Sequence, residues 1–195
     1  MSAPRMSAKE ALVAVHAARG ERDVVVTTMS PARDWMTLRQ HPLDVVLVPS
    51  AMGHATSIGL GIALAQPERR VIVCNGDGSM LMNLGSLVSI AAAGAANLVV
   101  LVFDNGVYEV TGAQPIPSPG AIDFVAIARG SGFASVFEHS EIDRWREDVQ
   151  RILSAPGPTM ALLHVEPVTG IPGPRSPGPA ADRGRRFTAA LQQQG

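Results

Sequence analysis

Apolar residues follow two patterns that alternate along the chain. Short runs rich in β-branched residues, such as VVVTT (24–28), VIVCN (71–75) and LVVLVF (98–103), are typical of strands buried on both faces. Between them, apolar residues three and four positions apart predict helices. The predicted helices cover 7–19, 55–66, 81–93, 121–130 and 141–155, and further short strands are predicted within 41–50, 135–137 and 159–166. This alternation indicates an α/β fold, a three-layer sandwich in which a mostly parallel sheet has helices on both faces.

Glycine and proline mark the predicted ends and connections of these elements. Gly130 is expected to close the helix that begins at 121, GDGS (76–79) is expected to form a turn, and MSPARDW (29–35) a loop in which a helix could begin. After Val168 the sequence IPGPRSPGPAADRGRR predicts an extended tail, and RRFTAALQQQ is compatible with a last short helix. We therefore divide the chain into a domain over 1–167 and a tail over 168–195.

Two long segments, 45–67 and 79–103, contain no Asp, Glu, Lys or Arg. The second is long enough in principle to cross a bilayer. Both are interrupted by Gly, Ser and Asn, however, and the second changes from helical to strand periodicity midway, so we expect both to be buried in protein and not in a membrane. A chain of this size with two such segments is expected to bury part of them against another subunit.

Composition narrows the classes of function. The 195 residues include 16 Lys+Arg and 17 Asp+Glu, and this near-neutral balance gives no electrostatic footprint for nucleic acid. A single cysteine, Cys74, excludes an internal disulfide framework and a multi-cysteine metal site. The N-terminus has no apolar secretory segment. Together these features predict a cytoplasmic protein.

Polar residues follow two of the predicted central strands, at GDGS (76–79) and at DNG (104–106). Both could be ordinary turns. A dinucleotide-binding turn is a weaker alternative, because Leu81 replaces the third glycine and Asp77 would repel a pyrophosphate at the start of the helix. A divalent cation removes that repulsion. Mg²⁺ prefers oxygen ligands, so Asp77, Asn105 and a nearby carbonyl would suit it, while the backbone N–H groups of the turn would meet phosphate oxygens.

The same residues carry a resemblance to a known family. GDGSMLMNLG (76–85) followed by Asp104-Asn105 resembles the cofactor motif of thiamin-diphosphate-dependent enzymes. The similarity includes SAMGHATSIGLGIALAQP (50–67) and DNGVYEVTGAQP (104–115). Within the family, the chain is most similar to the diphosphate-binding (PP) domain, as found in the sulfopyruvate decarboxylase beta subunit and the C-terminal half of phosphonopyruvate decarboxylase.

The resemblance implies thiamin diphosphate and Mg²⁺ as cofactors and assigns residues to them. The implied metal ligands are the side chains of Asp77 and Asn105 and the backbone carbonyl of Val107. Met52 would support the bent cofactor, and the Ser50 carbonyl would accept a hydrogen bond from its amino group. The implied cofactor-binding residues are Ser50, Met52, Gly76, Asp77, Gly78, Ser79, Asn105 and Tyr108.

Residues near the implied reaction centre have less certain roles. His54 could contact the substrate or transfer a proton, or could cap the following helix. Thr111, with Tyr108 and Glu109, is expected near the thiazolium ring or the substrate, and Glu109 could instead be a solvated loop charge. Glu-Val-Thr-Gly stands at 109–112 where the sulfopyruvate enzyme has Gly-Ser-Thr-Gly, so the identity of the substrate is open.

Enzymes of this family use a glutamate from a separate pyrimidine-binding domain, and the chain is too short to contain that domain. The resemblance therefore implies a pyrimidine-binding (alpha-type) partner subunit, a symmetric homo- or hetero-oligomer, and decarboxylation of a small 2-oxo acid to an aldehyde. A carboligase, a 2-oxo acid oxidoreductase subunit and a non-catalytic cofactor-binding scaffold are the alternatives.

Overall fold

The structure, a computed structural model, describes residues 5–48, 52–170 and 175–193. Its main sheet has six strands, and two further short strands pair with each other. The strands are β1 (Val24–Thr28), β2 (Asp44–Leu47), β3 (Val71–Gly76), β4 (Leu98–Asp104), β5 (Val107–Tyr108), β6 (Gln114–Pro115), β7 (Ser135–His139) and β8 (Thr159–His164). The helices are α1 (Ala8–Ala18), α2 (Met29–Trp35), α3 (Ala55–Ala65), α4 (Asp77–Leu81), α5 (Gly85–Ala92), α6 (Phe124–Ser131), α7 (Ile142–Leu153) and α8 (Ala180–Gln193).

The six strands of the main sheet are all parallel, in the order β2-β1-β3-β4-β8-β7. The central strands β1, β3 and β4 are buried almost throughout, which explains why they are apolar on both faces. Because β3 and β4 are neighbours and run in the same direction, the two polar turns that follow them lie at one edge of the sheet. The predicted fold class is confirmed.

Each face of the sheet has its own apolar core. On one face, Trp35 and Trp145 pack with residues of α1, α2 and α7. On the other, Leu87, Ile90 and Phe124 pack with residues of α3, α5 and α6. Val, Ile and Leu side chains of the strands alternate between the two cores, and this alternation produces the three layers.

The predicted single helix over 81–93 is wrong. GDGS, predicted as a turn, instead ends β3 with Gly76 and begins the short helix α4 with Asp77, and the chain turns at 82–84 before α5 begins. The Asn83 side chain donates hydrogen bonds to the carbonyl of Gly53 and the hydroxyl of Ser57, and it ties this break to the start of α3. A polar contact distant in sequence therefore interrupts a segment whose local pattern is helical throughout.

Two other predicted boundaries need correction. The helix α6 ends at Ser131 and not at Gly130, because Gly132 adopts the left-handed conformation (φ 98°) and its N–H closes the last turn. MSPARDW, predicted as a loop with a possible helix start, is helical throughout as α2.

The C-terminal segment contains a helix longer than the short one considered from sequence. α8 has 14 residues, and its Ala190 is buried. Arg183 donates hydrogen bonds to the Val46 carbonyl in the edge strand β2 and to the Val48 carbonyl just after it, and Arg69 donates to the Leu191 carbonyl. These contacts attach α8 to the domain. Over the described ranges, no helix is long and apolar enough to cross a membrane.

Candidate functional site

A small cavity of about 40 Å³ lies at the carboxyl edge of the sheet, where β1, β3 and β4 end. Most of the candidate residues converge here. The cavity is lined by, among others, Met52, Gly76, Asp77, Gly78, Ser79, Asn105, Val107, Tyr108 and Glu109. The start of α2 and residues 165–166 after β8 complete the wall. The two polar turns that sequence analysis singled out therefore face one common space.

Asp77 joins these two turns. Its carboxylate is buried, with Oδ1 accepting from the Gly78 N–H at 2.7 Å and Oδ2 from the Gly106 N–H at 2.7 Å. Both donors are neutral backbone groups, so the negative charge is hydrogen-bonded but not neutralised. A buried carboxylate of this kind favours a cation in the adjacent cavity.

Burial and close contact shift the pKa values of two neighbouring carboxylates, Asp77 and Asp104, in opposite directions. Burial raises the pKa of Asp77 to about 7, and Asp104 adds to the rise against the opposing N–H donors of Gly78 and Gly106. Burial would also raise the pKa of Asp104, but a hydrogen bond from His164 and the charge of Arg5 lower it. Without a metal, Asp77 is therefore the carboxylate of the pair that tends to hold a proton.

Asn105 and Val107 line the same cavity as Asp77. The Asn105 Oδ1 accepts from the Val107 N–H at 3.0 Å, which shapes the turn after β4. Val107 stands opposite Pro115 in the β5–β6 pair, and proline has no N–H to donate to the Val107 carbonyl. Asp77, Asn105 and Val107 thus supply three oxygen atoms of the kinds that Mg²⁺ binds.

The residues of GDGS (76–79), at the junction of β3 and α4, have different surroundings. A Cβ atom at Gly76 would meet nothing within 4 Å, so the backbone there is open to an approaching ligand. A Cβ atom at Gly78 would lie 2.5 Å from the Tyr108 ring, so the absence of a side chain allows that ring to pack on the turn. The Ser79 hydroxyl accepts from the Gly53 N–H at 3.0 Å, and its own proton is not used in that bond.

Two other predicted site residues, His54 and Thr111, are not among those that line the cavity. His54 is exposed, and its Nδ1 lies 2.9 Å from the Met52 carbonyl oxygen. Thr111 is exposed, and its hydroxyl bonds within its own loop, to Gln114 and the Tyr108 carbonyl. Ser50 lies outside the described residues. The roles assigned to all three stay predictions.

Glu109 and its partners include contacts that sequence analysis missed. Glu109 is buried, which argues against a solvated loop charge, and it contacts Arg33 of α2 and the backbone N–H of Val168. His164 also went unnoticed, although its ring bridges Asp104 and Glu138. These partners are far apart in sequence and belong to no local motif. Only their proximity in the fold reveals them.

The donor set fits a single magnesium ion with a phosphate ligand better than a metal cluster. Among the residues that the structure describes, no group of three or more His, Cys, Asp and Glu could hold a metal. Asp77 would supply the carboxylate of the implied set, joined by the amide oxygen of Asn105 and the carbonyl of Val107. Mg²⁺ is commonly held by one or two carboxylates together with substrate phosphates.

A parallel sheet with polar residues gathered around a cavity at its carboxyl edge defines a ligand-binding α/β domain. A sequence model of the family described as thiamine pyrophosphate enzyme, C-terminal TPP binding domain, matches residues 25–163, and the chain belongs to this family.

Within the family, the chain is similar to two kinds of decarboxylase. Sulfopyruvate decarboxylase subunit beta from Methanothermobacter thermautotrophicus is 39% identical over 150 residues, which cover 75% of this chain and 76% of the relative. Phosphonopyruvate decarboxylase from Streptomyces viridochromogenes is 39% identical over 167 residues, which cover 84% of this chain and 41% of the relative. The chain thus spans about two fifths of the length of that second relative.

Solved structures share the fold. The thiamine diphosphate-dependent 4-hydroxybenzoylformate decarboxylase of Rhodococcus jostii matches with a TM-score of 0.71 at 20% sequence identity. The match covers 85% of this chain and 34% of that one. At this level of identity the likeness concerns the architecture alone.

Proposed function

We propose that the chain is the diphosphate- and Mg²⁺-binding subunit of a thiamin-diphosphate-dependent 2-oxo acid decarboxylase. The observation that carries the proposal is the buried carboxylate of Asp77, whose two backbone donors leave its charge unpaired and which lines one cavity with Asn105 and Val107. Membership of the family and similarity to sulfopyruvate and phosphonopyruvate decarboxylases support it.

The chain's own residues would hold and orient the cofactor. Asp77, Asn105 and the Val107 carbonyl would bind the metal, and the open backbone at Gly76 and the Ser79 hydroxyl would face the diphosphate. Met52, half-buried on the cavity wall, offers an apolar contact. Thiamin diphosphate, when bound, supplies the carbon nucleophile and electron sink that decarboxylation requires. Fixing these groups in advance is the contribution that the protein makes.

A partner subunit is the second part of the proposal. The cavity is far smaller than the roughly 300–1,000 Å³ of a pocket that encloses an organic ligand, in keeping with a site shared between chains. None of the acidic residues before Met52 lines the cavity, and each has a partner in this chain: Asp23, Asp34, Asp44 and Glu10 pair with arginines, and Glu21 with His41. A pyrimidine-binding subunit would supply the missing glutamate.

The reaction class follows from the relatives. A 2-oxo acid and one proton would give an aldehyde and CO₂, with a sulfonate or phosphonate group on the substrate as in the named relatives. Similarity to the Escherichia coli acetolactate synthase isozyme 1 large subunit, 30% over 124 residues, supports carboligation as the second candidate. Substrate charge would be recognised in part by the partner subunit.

Turnover by the reconstituted enzyme tests the proposal. The chain is mixed with its pyrimidine-binding subunit, Mg²⁺ and thiamin diphosphate, and CO₂ and aldehyde are measured with sulfopyruvate, phosphonopyruvate and pyruvate. We expect CO₂ and aldehyde in equal amounts, abolished by Asp77→Asn and unchanged by Asp143→Asn, an exposed control on α7. Acetolactate as the product, or reduction of a redox dye, would replace the decarboxylase proposal, and full activity of Asp77→Asn would overturn the metal assignment.

A further inference from the structure

Glu109 is a buried acid in the loop that follows the metal-binding turn. Its side chain is only 4% exposed, although it lies in a short connection between β5 and β6. It comes immediately after Tyr108 and two residues after Val107. A carboxylate in such a place must be satisfied by fixed partners, because burying it unpaired would be costly.

Both carboxylate oxygens have a partner from a distant part of the chain. Oε1 accepts from the N–H of Val168, in the segment that leaves β8. Oε2 lies 3.5 Å from Nη1 of Arg33 on α2, and Arg33 is itself held by Asp34, with Nε 2.9 Å from Oδ1. Nη1 is buried and has no hydrogen-bond partner in the described part of the chain, so the ion pair with Glu109 is its compensation. Glu109 therefore joins three separate elements at one point.

The loop that contains Glu109 also contains Val107 and Tyr108, which line the same cavity as Asp77. At its first end, the Gly106 N–H donates to Asp77. Further along, Tyr108 packs on Gly78, and its carbonyl accepts from the Ala113 N–H. Glu109 is the only acidic side chain within residues 105–116. The Asp77 contact holds the loop at Gly106, and the contacts of Glu109 with Arg33 and Val168 hold it three residues further along.

We propose that Glu109 is a positioning residue, which clamps loop 105–112 against α2 and the segment after β8 so that Val107 and Tyr108 stay fixed against the metal site. The identity of the bound group in this proposal rests on the proposed function. The clamp itself rests only on the contacts of Glu109. A direct catalytic role is disfavoured because both oxygens are already engaged by Val168 and Arg33.

The clamp is tested first without cofactor, in the complex of the chain with its partner subunit. Hydrogen exchange at Val168 and within 107–113 should be at least about 10-fold faster in Glu109→Ala than in the wild type, because the anchor is lost. Arg33→Met should change the loop amides in the same direction. The double variant should be little worse than Glu109→Ala, since both changes remove one interaction. Glu68→Gln, an exposed acid before β3 at the opposite edge of the sheet, should have no effect.

The link to the cofactor is tested by the Mg²⁺ concentration that gives half-maximal binding of thiamin diphosphate. Loss of residues that orient metal ligands commonly costs 10–100-fold in affinity, so we expect an increase of about 10-fold in Glu109→Ala. Glu109→Gln, which keeps the shape and the acceptor for Val168, should give a smaller increase and serves if the alanine variant does not fold.

Different failures have different meanings. Unchanged hydrogen exchange in Glu109→Ala overturns the clamp. Faster exchange with an unchanged Mg²⁺ requirement overturns the positioning role, as does loss of turnover alone, which would make Glu109 a catalytic residue. If the wild-type complex binds no thiamin diphosphate, the proposed function fails, and hydrogen exchange still decides whether the clamp exists.

Discussion

Two glycines of the turn after β3 differ in what surrounds them. A methyl group at Gly76 would enter open space, whereas one at Gly78 would lie 2.5 Å from the Tyr108 ring. The family resemblance implies the same cofactor-binding role for both residues. The surroundings of the two residues differ: Gly76 is open to a ligand, whereas Gly78 has to be glycine because the Tyr108 ring packs against it.

This difference predicts opposite outcomes for one chemical change. Gly78→Ala should lower the free energy of unfolding by about 1–3 kcal/mol, because the ring or the turn must shift to admit the methyl group. Gly76→Ala should leave the free energy of unfolding nearly unchanged. Urea denaturation of both variants measures this. A Gly78→Ala protein as stable as the wild type would show that Tyr108 does not pack on the turn.

At the scale of elements, one histidine bridges three strand ends. The two ring nitrogens of His164 on β8 lie 2.9 Å from Asp104 on β4 and 2.7 Å from Glu138 on β7. Carboxylate oxygens only accept hydrogen bonds, so this arrangement favours the doubly protonated ring. The hydrogen bond to Asp104 raises the pKa of His164 against the opposing effect of burial, and Glu138 adds to the rise.

The bridge therefore predicts the pH dependence of stability. Because the folded-state pKa of His164 is raised, its contribution is complete below its unfolded pKa of about 6.5 and is lost as the pH rises through the folded value. In thermal melts, the melting temperature of the wild type should exceed that of His164→Asn by the largest amount at pH 5–6. This difference in melting temperature should become smaller at alkaline pH. Glu138→Gln should weaken this pH dependence. A gap that widens with increasing pH would contradict the bridge.

The local pattern of apolar residues predicted most elements, because the positions of those residues follow from which faces of a strand or helix are buried. The runs 24–28, 71–75 and 98–103 all lie in central strands. The local pattern failed where a contact between residues distant in sequence determines the structure. The turn at 82–84 depends on the Asn83 contact with Gly53, and the attachment of α8 depends on Arg183 reaching the carbonyls in and just after β2. Likewise the motif residues of the cavity could be found from sequence, but Arg33 and Val168 could not.

For the whole molecule, an apolar surface on one side of the sheet matters most. Leu64 on α3, Met82 after α4 and Val88 on α5 are 56%, 56% and 57% exposed. They belong to the two segments without acidic residues, lysine or arginine. Several large exposed apolar side chains in such segments indicate a contact surface. We therefore expect this side to be covered by the partner subunit or by a second copy of the chain.

Matched charge substitutions test that surface. Val88→Glu should weaken association at least about 10-fold, because it places a charge in the contact. Val13→Glu on α1, 46% exposed on the opposite side of the sheet, should not. Sedimentation velocity of the chain alone and with its partner gives the measurement. Equal effects of the two substitutions would contradict the assignment of the surface.

The central claim is that this chain holds one half of a thiamin-diphosphate site. Calorimetric titration of thiamin diphosphate with Mg²⁺ tests it most directly, using the chain alone, the chain with its pyrimidine-binding subunit, and the same complex carrying Asp77→Asn. We predict saturable, Mg²⁺-dependent binding by the wild-type complex, with weak or no binding by the chain alone and none by the variant complex. Equal binding by the wild-type and Asp77→Asn complexes, or no binding by either, would contradict the account.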